Sequence, residues 1–185
     1  MEQAGLRRPQ PHLLELFCQG VRVRGTAVTH VRVSDMMNQT DTWLDMTALE
    51  LWPLSAEEAS EPERHDVGRL RKSSIEVAAE ATDSPPLDTA EEFGFHVNKT
   101  PRRVLVLTAN FAIRADLHVT SQADLQTTLD VFRGTFLPLT TASATPISAS
   151  GRKFESFARR FILVNLEMVN VICDAAEAPP VFFPE

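Results

Sequence analysis

Apolar residues fall in short runs broken by polar ones, and two stretches of the chain repeat the same order of runs. Leu13, Leu14, Leu16 and Phe17 open the first stretch behind Pro11, and Val104 to Leu107 open the second behind Pro101. Short runs rich in branched residues and preceded by proline suit a buried strand better than a helix. Gln19-Gly20 and Ala109-Asn110 come next, and these residue types tolerate positive φ and close tight hairpin turns. Val21 and Val23 then alternate with Arg22 and Arg24, as Phe111 and Ile113 do with Ala112 and Arg114. A period of two predicts a half-exposed strand.

A short helix is predicted after each hairpin. In the first stretch it covers Val33 to Gln39 with Ser34 as N-cap. In the second it covers Ala123 to Phe132, where Leu125, Leu129 and Phe132 share helical spacing behind Thr120 or Ser121 as cap. A third strand follows in Trp43 to Trp52 and in Phe136 to Thr145, and a fourth in Ser74 to Ala81 and in Arg160 to Cys173. Each unit therefore reads β-β-α-β-β, too small for a large core of its own.

The two stretches also align residue by residue. At an offset of 90, Pro11 meets Pro101, Leu14 meets Val104, Leu16 meets Val106, Val23 meets Ile113 and Arg24 meets Arg114. At an offset of 93, Trp43 meets Phe136, Met46 meets Leu139, Thr47 meets Thr140 and Pro53 meets Pro146. The expectation is a mostly β (α+β) chain of two tandem, small, barrel-like units that form a pseudo-dimer. The first unit spans residues 1–81 and carries an acidic loop at 55–66. A Pro- and acid-rich linker at 82–100 contains Ser84-Pro85-Pro86, a composition that behaves as an extended connection. The second unit spans 101–176, and an extended tail covers 177–185.

Composition narrows the function classes. With 18 Lys+Arg against 25 Asp+Glu the net charge is −7 over 185 residues, which argues against the phosphate backbone as the main partner. The N-terminus has no apolar core behind Arg7-Arg8, and no run approaches the roughly 18 apolar residues of a membrane span. A cytoplasmic chain with no membrane span is the expectation. Cys18 and Cys173 are far apart with no CxxC spacing, so they read as buried free thiols rather than a disulfide framework or zinc site.

Strand, tight turn, strand, short helix, then Phe136-Leu-Pro-Leu-Thr140 and Phe161-Ile-Leu-Val-Asn165 resemble a small bacterial β domain of uncharacterised function, itself loosely similar to Sm-like barrels. The resemblance is best over 102–173 and implies a small β-barrel. It brings no catalytic residues with it.

Candidate chemistry is sparse. Asp116 and His118 share a strand face but supply only two ligands, where a zinc site needs more. His65-Asp66, near Glu61 and Glu63, falls in the acidic loop, whereas catalysis needs positioned groups. The Ser/Thr-rich stretch 140–151 has neither a Gly-x-Ser-x-Gly elbow nor a phosphate loop. No catalytic, cofactor-binding or metal residues are predicted, and no cofactor.

Two segments are candidate interaction sites. Arg152, Lys153, Arg159 and Arg160, interleaved with Phe154 and Phe157, combine cations and stacking faces as single-strand binders do. Phe182 and Phe183, in the Pro-rich tail, form an extended apolar segment suited to a groove. The expected function is a non-catalytic protein-interaction module, an accessory or scaffolding subunit of a bacterial complex whose partners are other protein subunits. The alternative is an Sm-like regulator that binds RNA or a small ligand.

Overall fold

The computed structural model describes residues 8–54, 60–81, 99–120, 123–147 and 156–175. The two predicted hairpins form and extend beyond the residues that announced them. β1 (Gln10–Cys18) turns at Gln19-Gly20 into β2 (Val21–Thr29), and Gly20 takes a φ of 82° that a side chain would resist. β6 (Lys99–Thr108) and β7 (Phe111–Thr120) pair in the same way. β6 thus begins inside the segment expected to be linker.

Between the two hairpins lie α1 (Val33–Met37), β3 (Trp43–Pro53), β4 (Glu63–Arg71), a 3-10 turn at Lys72–Ser74 and β5 (Ile75–Glu80). After the second hairpin come α2 (Leu125–Val131), β8 (Phe136–Pro146), β9 (Phe157–Asn165), a 3-10 turn at Leu166–Met168 and β10 (Val169–Asp174). Two helix caps differ from expectation. α1 starts after Arg32, which makes no side-chain cap, and α2 is capped by Asp124, whose carboxylate accepts the Thr127 N–H at 2.7 Å. Each helix turns one face to the core: Val33, Met36 and Met37 buried in α1, and Leu125 and Leu129 partly buried in α2.

All ten strands form one antiparallel sheet in the order β10-β6-β7-β8-β9-β5-β1-β2-β3-β4. This corrects the barrel-like units: the sheet is open, and β10 and β4 are its two ends. It also corrects the strand count. Glu63 to Arg71, partly assigned to the acidic loop, is the strand β4, paired along β3 from Trp43↔Arg71 to Leu51↔Glu63. The expected single strand 160–173 is broken by the 3-10 turn into β9 and β10, which lie in different places in the sheet. Asn165 sets that break, accepting the Glu167 N–H at 3.0 Å.

The ladders carry bulges at matching positions. Between β2 and β3 the register shifts at Arg24/Thr26, and between β7 and β8 at Arg114/Asp116. The extra residue in each case forces a left-handed backbone, with φ of 50° at both Ala48 and Thr141. A second shift sets Glu76 outside the β1–β5 ladder, and another sets Asn170 outside the β6–β10 ladder.

Two clusters of buried side chains fill the two sides of the β5–β9 junction, and each crosses it. Phe17, Leu54, Val77 and Ala79 join Val104, Val106, Phe111, Ile113 and the other buried residues of 104–164. In the other direction Phe136 and Leu163 join Leu14, Leu16, Met36, Met37 and Ile75. β1 can serve both clusters because alternate residues point to opposite faces: Leu16 enters one and Phe17 the other.

Candidate interaction edges

The junction between β5 and β9 gathers the buried polar residues Glu15, Glu76, Asn110 and Asn165. Its ladder is short, with Val77↔Val164, Ala78↔Leu163 and Ala79↔Ile162. Around it, Asn165 donates to the Ile75 carbonyl at 2.9 Å, and the Glu76 carboxyl accepts from both the backbone N–H and the amide of Asn110. Glu15, 2% exposed, accepts from Arg22 on β2 and from Arg159 on β9 at 2.5 Å. Asn38 after α1 reaches across to Phe136, accepting its N–H at 2.7 Å and donating to its carbonyl at 3.0 Å. Buried charges and amides without such partners would destabilise the fold by several kcal/mol.

Of the residues expected to form a basic, aromatic surface, Arg152, Lys153 and Phe154 lie outside the described residues, as do Phe182 and Phe183 of the tail. Phe157 is not an open stacking face. Its ring lies flat on Phe17, with centroids 4.6 Å apart and planes 6° apart, and edge-on to Phe111 at 5.9 Å. Arg159 stands 5.3 Å over Phe157 and is bound to Glu15, so it serves the junction. Arg160 is exposed.

The other sequence candidates are taken up locally. Asp116 pairs with Arg103 at 3.1 Å, and His118 meets the Thr140 hydroxyl at 2.7 Å. His65 contacts Glu63 at 3.0 Å on the exposed face of β4, in a strand rather than a loop. Among the described residues no group of three or more His, Cys, Asp or Glu side chains is arranged to hold a metal ion, and no helix is long and apolar enough to cross a membrane.

Of the two thiols expected to be buried, one is not. Cys18 is buried, and burial pushes its pKa up to about 11, whereas Cys173 is exposed on β10. Burial also lowers the pKa of Lys72, whose ammonium donates to the Met36 carbonyl at 2.6 Å and ties the 3-10 turn after β4 to the end of α1. His12 and Glu80 approach to 3.7 Å, yet His12 is lowered and Glu80 raised, the reverse of what an ion pair would do. Desolvation outweighs their attraction, as expected for a long contact in a partly buried place.

What remains uncommitted is at the two ends of the sheet. Among the described residues β4 pairs only with β3, and β10 only with β6, so each presents one row of backbone groups outward. Edges of this kind are templates for another strand unless they are charged, bulged or covered. Of the exposed large apolar side chains among the described residues, Trp43 and Val67 stand at the β4 end and Val171 on β10, while Val28, Val31 and Val131 lie off the edge strands. Arg69 stands 6.0 Å over the Trp43 ring and pairs with Asp45 at 2.6 Å. Beside β10, an open groove of about 530 Å³ runs along α2, lined by Arg102, Asp124, Leu125, Leu129, Ile172 and Asp174. Arg102 binds Asp174 with both nitrogens, at 2.5 and 2.7 Å, which holds the Asp174 carboxyl below its ordinary range.

No family model, curated protein or solved structure matches this chain. A functional reading therefore rests on these edges. The sequence does not announce these edges, because β4 is Glu63-Arg-His-Asp-Val-Gly-Arg-Leu-Arg, whose charges resemble a solvated loop. The usable signal was the alternation in Val67 to Arg71, where Gly68 and Leu70 turn inward and Arg69 and Arg71 outward.

Proposed function

We propose that the chain is a non-catalytic protein-interaction module, a duplicated β unit serving as an accessory or scaffolding subunit and working through the ends of its sheet. The observation that carries this reading is the exposure of Trp43, Val67 and Val171 beside outward-facing backbone on two edge strands. An added strand supplies hydrogen bonds to such a backbone and covers such side chains. The duplication rests on the bulges, which recur at the offsets aligning the sequence: Arg24/Thr26 with Arg114/Asp116, and Ala48 with Thr141. Two related units on one chain offer two related surfaces at high effective concentration. The RNA-binding alternative draws on Arg160 alone among the described members of its basic set, since Phe157 and Arg159 are engaged within the sheet.

The test is co-purification with the full chain from native extract, compared with a Trp43→Glu/Val171→Lys double variant. A stoichiometric protein partner, or a second copy of the chain, that is lost from the double variant supports the reading. A monomer that retains nothing, or salt-sensitive RNA retention that survives the double variant, overturns it.

A further inference from the structure

From the internal junction we infer that the chain assembles with copies of itself head to tail, β4 of one copy pairing with β10 of the next as β9 pairs with β5. This rests on the edge reading above and names its partner. β4 is held by β3 in the register by which β8 holds β9, so that Leu70 corresponds to Val164, Arg69 to Leu163 and Gly68 to Ile162. β10 is held by β6 as β1 holds β5, down to the extra residue, so that Val171 corresponds to Val77, Ile172 to Ala78 and Cys173 to Ala79. The edges unpaired among the described residues are therefore the two halves of a junction that the chain already contains.

Burial marks the missing half. Ile162 and Val164 are fully buried at the junction, while Gly68 and Leu70 at the matching positions are half-exposed. Val77 is fully buried, and Val171 is 45% exposed. Phe136 crosses the junction into the neighbouring core, and its counterpart Trp43 is left 46% exposed. The groove between α2 and β10 lies where Trp43 and Arg69 would enter, as Phe136 and Leu163 enter beside α1 and β5. Its Leu125, Leu129 and Ile172 suit the indole, and its Asp124 and Asp130 suit the Arg69 guanidinium over that indole, Asp174 being engaged by Arg102. Arg69 standing where the internal junction has Leu163 thus has a reason: the groove stays net acidic with Arg102 counted against its three aspartates.

The pairing sets Val171 opposite Leu70, Ile172 opposite Arg69 and Cys173 opposite Gly68. Because the two surfaces differ, the contact is heterologous. Repeated, it closes into a ring or extends as a filament.

Two experiments test it. In the first, wild-type protein is sized by light scattering at high micromolar concentration beside Trp43→Glu, which spoils only the β4 end, and Val171→Lys, which spoils only the β10 end. Wild type is expected at a multiple of 20.6 kDa and each variant at 20.6 kDa alone. The equimolar mixture should form a two-copy species, because each variant keeps the end that the other lacks. Combination in the mixture also shows that both variants are folded. In the second, Gly68→Cys is oxidised mildly and should give an interchain disulfide that maps to residues 68 and 173, the buried Cys18 being protected.

A monomeric wild type overturns the proposal, as does a single-end variant that keeps the wild-type size, which would mean like-with-like pairing. A wild-type monomer that still captures a different protein through these edges overturns self-assembly alone, and one that captures nothing removes the interaction reading too.

Discussion

Glu76 on β5 is fully buried and accepts two hydrogen bonds from Asn110, which sits at the tip of the β6–β7 hairpin. The carboxyl stands at a bulge, outside the β1–β5 ladder, and so points away from its own hairpin toward the other one. Asn110→Ala removes the side-chain donor, leaves a buried carboxyl half-satisfied, and is expected to cost about 3 kcal/mol. Glu76→Gln should cost about 1 kcal/mol or less, because the Asn110 amide can flip to accept from the new NH2. Urea midpoints with an unchanged slope would measure both.

Thr141 holds a φ of 50° at the β7–β8 bulge, a conformation that costs a side-chain-bearing residue about 1–2 kcal/mol. Glycine removes that cost at the expense of about 0.5–1 kcal/mol of backbone entropy. Thr141→Gly is accordingly expected to raise stability by about 0.5 kcal/mol. The same substitution in the regular part of β8, at Ser143, should lower it, and thermal midpoints of the two variants would separate these outcomes.

A Cβ on Gly134 would stand 2.6 Å from Oδ1 of Asn38 and 2.8 Å from Cζ of Phe132. Asn38 has little freedom to yield, since it is bonded to Phe136 on both sides and donates to the Ser34 carbonyl at 3.0 Å. Gly134→Ala is expected to destabilise by about 1–3 kcal/mol, in line with overpacking of a filled site. In an Asn38→Ala background the part of the penalty due to Asn38 should vanish while the part due to Phe132 stays, and a double-mutant cycle would register the difference.

His12 and Glu80 impose opposite pH dependences. Burial lowers the His12 pKa, so between its folded value and 6.5 the unfolded chain binds more protons, and stability is lost as the pH falls through that window. Burial raises the Glu80 pKa above 4.5, so in its window the folded chain binds more protons and stability is gained as the pH falls. Relative to wild type, His12→Gln should therefore lose less stability on acidification below pH 6.5 and Glu80→Gln should lose more. Denaturant midpoints followed between pH 7 and 4.5 would check the signs.

Local order was legible. The Gln19-Gly20 turn, the alternation from Val21 onward, the helical spacing of Leu125 and Leu129, and the strand starts at Trp43 and Phe136 all depend on near neighbours, and all appear in the structure. β4 was hidden because an edge strand has one ladder partner and little core to face, so its first four residues are all polar and its alternation is confined to Val67 to Arg71. The candidate site was hidden for the same reason. The basic segment that stood out in the sequence contributes Phe157 and Arg159 to the junction instead, since aromatic and cationic groups serve a core as readily as a surface.

By itself the sequence determined the periods and turns of the strands and the offsets that align its two stretches. Only the tertiary structure decided that β5 pairs with β9 to make one open sheet, and hence which strands are left at its ends. Pairing between distant strands runs through backbone groups that every residue shares, and its register is set by which side chains the neighbouring unit can bury. Those partners lie 83 to 87 residues away in the chain, beyond the reach of any local pattern.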